Sequence, residues 1–75
     1  MPPIPRVSGR EVLRALRSAG WRVDRIAGSH HQMVNAAENR VVSVPVHGAK
    51  TLPVGTIKGI IDKTGMTVEE FINLL

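Results

Sequence analysis

The chain has no cysteine and three histidines, and two of these stand together in Gly28-Ser29-His30-His31-Gln32-Met33. Without a thiol there is no sulfur nucleophile, no disulfide and no thiolate metal site. Imidazole, with an ordinary pKa of about 6.5, is then the side chain best suited to take or give a proton near neutral pH. His30, His31 and the more distant His47 are therefore the candidates for acid–base work. Metal binding is the rival use of three histidines. Adjacent residues on a strand point to opposite faces, so His30 and His31 make a poor joint ligand set, and no carboxylate stands suitably close in sequence. No metal and no cofactor is expected.

The charge around these histidines is one-sided. Among 75 residues with a formal net charge of +4, the stretch from Arg6 to Arg25 holds six arginines against Glu11 and Asp24. Such a basic half suits a polyanionic partner, because each phosphate it neutralises releases condensed counterions. Mild basicity for solubility alone is the plainer alternative. Arg10, Arg14 and Arg17 recur at i, i+4 and i+7. On a helix they form one basic stripe whose self-repulsion a phosphate or carboxylate partner would offset. Trp21 and Phe71 are the only aromatic residues and occupy apolar-periodic positions, which favours core packing over base stacking.

The elements that must hold these groups follow from local signals. Met1 to Val7 carries Pro2, Pro3 and Pro5 and reads as a loose extended lead-in with no apolar leader segment. Ser8-Gly9-Arg10-Glu11 has the form of a capping box, Val12, Leu13 and Leu16 share a helical face, and Gly20 stands where a left-handed residue closes a helix. Trp21–Ala27, His30–Asn35 and Arg40–Val46 read as strands. Trp21 and Val23 are expected on one face, Arg22 and Asp24 on the other. The turns Gly28-Ser29 and Ala36–Asn39 are short enough for an antiparallel meander. Pro45 should close the pairing or lie at an edge. Pro53 opens a second helix carrying Val54, Ile57, Ile60 and Ile61 inward, where Gly59 would permit close packing on the sheet. Gly65 ends it, and Thr67-Val68-Glu69-Glu70 caps a short last helix. Helices covering one face of a three-stranded sheet give an α+β fold in α-β-β-β-α order, as in double-stranded-RNA-binding domains, with a short C-terminal helix. One domain, soluble and cytoplasmic, with no membrane span, is the expectation.

Five segments taken in order carry a family resemblance: Gly20-Trp21, Arg25, Gly28-Ser29-His30-His31, Val44-Pro45-Val46-His47, and Leu52-Pro53-Val54-Gly55-Thr56. Together they resemble the HicA-like mRNA interferase toxins, from about Ser8 to Met66. The resemblance implies a double-stranded-RNA-binding-like fold, metal-independent cleavage of mRNA, and neutralisation by a HicB-type antitoxin. It also implies that the catalytic histidine is the one after the Gly-Ser pair, His30, three residues before the apolar Met33. Many relatives carry an aromatic residue where Met33 stands. The residues after Met66 vary more among relatives.

Strand alternation bears on the same choice. If Met33 faces the helices, His31 shares its face, while His30 and Gln32 point away toward substrate. A bulge beside Gly28 would reverse that phase, so His31 stays open as the essential residue. RNA brings its own nucleophile, the 2′-OH, whose proton an imidazole can accept. Arg22, Arg25 or Lys50 could offset charge on the phosphorane, and Gly28 and the Ser29 hydroxyl could approach a phosphate. His47 is a possible second acid or base, although a loop histidine bonded locally is the simpler reading. Lys58, four residues before Asp62, could touch phosphate from the second helix or simply be solvated. A non-catalytic RNA-binding module of the same fold and a toxin-like remnant kept as an antitoxin partner are the rival readings. A helix-turn-helix DNA binder fits poorly around three strands.

Overall fold

The computed structural model describes residues 2–75; Met1, the first residue of the expected lead-in, lies outside the described residues. The elements are α1 (Gly9–Ser18), β1 (Arg22–Ala27), β2 (His30–Asn35), β3 (Arg40–Pro45), α2 (Val54–Thr64) and α3 (Val68–Ile72). The strands form one antiparallel sheet in the order β1-β2-β3. Helices cover one side of it, giving the expected α+β arrangement. Among the described residues no helix is long and apolar enough to cross a membrane.

Both capping boxes form. The Ser8 N–H donates to Glu11 Oε1 at 3.0 Å and the Glu11 N–H to Ser8 Oγ at 3.3 Å. Thr67 and Glu70 repeat the exchange at 2.8 and 3.1 Å. Each box satisfies amide donors that a helix start leaves orphaned. The Ser8 amide bond favours the ionised Glu11 and holds its carboxyl below the ordinary 4.5. At the other end of α1, Gly20 takes φ +96°, and the Gly20 and Trp21 amides donate back to the Arg17 and Leu16 carbonyls. That is a Schellman closure, and it carries Trp21 into the core beside Leu16.

The two hairpins set the sheet register. Gly28, at φ +58°, is the first of two residues joining Ala27 to His30, as a II′ turn requires. Asn39, left-handed at φ +54°, closes the Ala36–Asn39 loop, and Asn35 Oδ1 accepts from the Glu38 amide at 3.3 Å. Pairing shifts by one residue between Val23 and Arg25, leaving Asp24 in a bulge on β1. Simple alternation would have put Asp24 with Arg22. The bulge puts Arg25 there instead.

The core lies between the sheet and the helices. Met33, Val42 and Val44 from the sheet meet Val12 and Leu16 of α1, Ile57 and Ile61 of α2, and Phe71 of α3, all essentially inaccessible. Both α1 and α2 pack on β3, so β1 overhangs and its Ile26 is 58% exposed. The start of α1 touches the end of β3 so closely that a Cβ at Gly9 would run into the Pro45 carbonyl. Arg40, from the start of β3, donates to the Lys63 carbonyl at 3.2 Å and lies over Gly65, capping the C-terminus of α2.

Three further sequence expectations change. The lead-in is not loose at its end: Val7 is buried, its carbonyl accepts from the Leu52 amide at 2.9 Å, and Ser8 bridges Thr51. Val54, the first residue of α2, does not face inward but is 40% exposed. Gly59 does not pack on the sheet; nothing lies within 4 Å of where its Cβ would be.

Candidate active site

The pairing places three rows of side chains on the sheet face turned away from the helices. They are Ala27–His30–Pro45 at the hairpin end, then Arg25–Gln32–Ser43, then Arg22–Val34–Val41. Successive rows are two residues apart along each strand, or about 7 Å. Arg25 therefore stands one row from His30 and Arg22 two rows away, along a single open track. Without the Asp24 bulge, Arg25 would point to the helices.

His30 is exposed on this face, and its Nδ1 lies 3.4 Å from Ser43 Oγ. A hydroxyl both donates and accepts, so Ser43 can accompany either the tautomer with Nδ1 protonated or the one with Nε2 protonated. Nε2 makes no hydrogen bond among the described residues, and the residue as a whole is exposed. His31 takes the opposite direction. It pairs with Val44 on the helix side, is half-buried, and its Nδ1 donates to the Ser29 carbonyl at 3.4 Å. That same carbonyl accepts from the Val46 amide at 2.7 Å. The backbone of Ser29 thus ties the β1–β2 turn to the end of β3. Two histidines adjacent in sequence have two environments because β2 is regular from His30 to Asn35.

His47 and Lys50 lie just past β3. Gly48, at φ +59°, turns the loop, and the Lys50 amide donates to the His47 carbonyl at 3.1 Å. Their side chains line a pocket of about 340 Å³ whose other walls include Pro45, Leu52 and Thr56. No hydrogen bond joins His47 to His30 among the described residues. The remaining basic residues are elsewhere. Arg10, Arg14 and Arg17 are all exposed on the side of α1 away from its buried Val12, Ala15 and Leu16. They therefore belong to the helical side of the molecule and not to the His30 face. Lys58 is paired with Asp62 at 2.6 Å and borders a separate pocket of about 400 Å³ shared with Glu69 and Met66. The candidates thus separate into a His30–Arg25–Arg22 track with His47 and Lys50 at its end, a stripe on α1, and an isolated Lys58.

Ser43, beside His30, escaped the sequence reading as a site residue. The length of the Ala36–Asn39 loop was the available signal. Pairing Asn35 with Arg40 across it sets Pro45 opposite His30 and Ser43 on the neighbouring row. Among the described residues, no three His, Cys, Asp or Glu side chains stand together as a metal site would need.

Compared with models of known families, residues 9–66 match that of the HicA toxin of bacterial toxin–antitoxin systems. No curated protein matches the chain.

Proposed function

The chain belongs to the HicA toxin family of bacterial toxin–antitoxin systems, and on that premise we propose that it is a metal-independent endoribonuclease that cuts mRNA, with His30 as general acid or base. Residues 1–75 act as one such domain. The observation that carries this reading is the exposed His30 imidazole beside the Ser43 hydroxyl, with Arg25 one row away on the same open face.

The substrate supplies the nucleophile. As the 2′-oxygen bonds to phosphorus, its proton must leave; as the bond to the 5′-oxygen breaks, that oxygen must gain one. An imidazole whose Nε2 is free can perform either transfer, and positioned acid–base groups of this kind contribute roughly 10²–10⁴ in rate. Arg25 stabilises the charge that builds on the phosphorane, while Arg22 and Lys50 hold neighbouring phosphates. The Ser29 hydroxyl, on the turn beside His30, is a further donor to phosphate. His31 supports the turn, and His47 is the remaining candidate for a second proton carrier. A HicB-type antitoxin is the protein partner. The α1 stripe of Arg10, Arg14 and Arg17 suits either its acidic surface or RNA beyond the cleavage site, and Lys58 is a peripheral RNA contact at most. The place of action is the cytoplasm, where mRNA is exposed.

One observation favours the rival reading, a non-catalytic RNA-binding module: no second imidazole or carboxylate hydrogen-bonds to His30 among the described residues. The two readings part in cells. Inducing the wild-type chain should arrest growth and create new 5′ ends in transcripts, and His30→Ala should abolish both at equal soluble level. Equal arrest by both proteins would remove His30 and turn attention to His31 or His47. No arrest and no cleavage by either would favour binding alone. In vitro, cleavage should persist in EDTA; its loss there would reject the metal-free mechanism.

A further inference from the structure

We infer that the pocket between the end of β3 and the start of α2 is a subsite for one unpaired nucleotide flanking the scissile bond, and that it selects the base. This rests on the nuclease reading above and extends it to the choice of cleavage site.

Position is the first ground. Pro45 is both the register partner of His30 and a wall of the pocket. The Val46–Ser29 hydrogen bond of 2.7 Å ties the pocket's strand to the turn that carries His30. His47 follows Pro45 by two residues, about 7 Å of extended chain. A chain of nucleotides passing His30 therefore reaches the pocket within its next residue or so.

Chemistry is the second ground. Lys50 provides a cation for a phosphate, His47 and Thr56 provide hydrogen-bonding groups, and Pro45, Leu52 and Pro53 provide apolar walls for a base. Among the described residues no carboxylate lines the pocket. The larger pocket between α2 and α3 sets Asp62 and Glu69 against Lys58, which is already paired with Asp62, a balance unfavourable to a phosphate. At about 340 Å³ the β3–α2 pocket is at the small end of ligand sites, which suits a single nucleoside.

Preorganisation is the third. The segment that forms the pocket is pinned at both ends, by the Lys50–His47 turn of 3.1 Å and by the Leu52 amide donating to the Val7 carbonyl at 2.9 Å. The Ser8–Thr51 bridge adds a further tie. Little ordering is left for a ligand to impose, which favours binding.

The test uses the full chain in two measurements. In the first, the ¹⁵N-labelled protein is titrated with 5′-AMP, CMP, GMP, UMP and, separately, inorganic phosphate. Saturable shifts at the His47–Thr51 and Thr56 amides are expected, with at least one nucleotide binding about tenfold tighter than phosphate. Phosphate matching every nucleotide, or shifts confined to other residues, would overturn the subsite. In the second, Lys50→Ala is placed in the non-cleaving His30→Ala protein and binding to a single-stranded RNA is followed by anisotropy. Affinity should fall about fivefold, and the salt slope should drop by roughly 0.7, the value for one phosphate on a single strand. Unchanged affinity and slope would overturn the inference. Failures of the two readings are distinguishable. If wild type cuts RNA and Lys50→Ala cuts the same sites at the same rate, the nuclease reading stands and the subsite falls. If no RNA is cut but a mononucleotide still saturates the pocket, the pocket stands as a nucleotide-binding site and the nuclease reading falls.

Discussion

The two faces of the sheet are made by the same three strands and have nearly opposite characters. The face toward the helices carries Met33, Val42 and Val44, which are closed to solvent. The face away from them carries His30, Gln32, Ser43, Arg25 and Arg22, with Val34 and Val41 in the last row. Strand alternation divides the two everywhere but at the Asp24 bulge, so the protein separates holding itself together from displaying polar side chains within a distance of one side chain. Packing decides the identity of residues on one face. On the other, solvent tolerates polar side chains that chemistry can use.

The sharpest way to break that division is a pair of neighbours. Met33→Ala removes a fully buried side chain from a tightly filled core, at a cost of about 2–5 kcal/mol. In a chain of this size each kcal/mol lowers the melting temperature by roughly 4–8 °C. A fall of at least 8 °C is therefore expected in thermal unfolding followed by circular dichroism. Gln32→Ala, one residue earlier and facing outward, should stay within about 0.5 kcal/mol of wild type. Comparable losses from both would mean that the outer face carries stability as well, and the division would fail.

Ser43 sharpens the comparison from the outer side. Its hydroxyl positions the His30 ring and does not pack in the core. A net intramolecular hydrogen bond is worth about 0.5–1.5 kcal/mol, so Ser43→Ala should slow RNA cleavage roughly two- to tenfold while the melting temperature holds. Ser43→Thr, which keeps the hydroxyl and suits a strand, should recover most of the rate. A loss that Thr does not repair would show that the residue acts through packing.

What the sequence made legible depended on whether the signal was local. Capping boxes, the left-handed Gly20 and the Gly28-Ser29 turn each involve residues within one or two turns of chain, and each formed as expected. The division between His30 and His31 was legible too, since Met33 marks the phase of a regular strand. Features that depend on partners across the fold were not. Nothing in Arg22–Ala27 announces the Asp24 bulge, so the outward turn of Arg25 could not be read. The neighbourhood of His30 and Ser43 needs the register of a hairpin, which alternation within one strand does not supply. Helical periodicity placed Val54 inward because it counts apolar residues along the helix and takes no account of what packs against each one. Gly59 failed for a related reason: its Cβ position faces open space, and no contact in the structure accounts for glycine there.

The smallest expected effect lies at the entrance to α1, where the inner layer is anchored beside the His30 end of the sheet. Glu11 ionises more readily in the folded chain, chiefly because its carboxylate accepts from the Ser8 amide. A carboxyl whose pKa is lowered on folding adds stability above its unfolded value and loses it as pH falls through the folded value. The contribution should therefore be complete at neutral pH, begin to shrink near the ordinary 4.5, and vanish at more acid pH. Glu11→Gln keeps an oxygen to accept from Ser8 but cannot ionise. The difference in melting temperature between wild type and this variant should narrow as pH falls below about 4.5. A difference that stayed constant across that range would assign the Glu11 contribution to geometry alone. The outer face gives a control: cutting by wild type and variant should match at neutral pH, because among the described residues the Glu11 side chain bonds only Ser8 and Glu11→Gln keeps that bond.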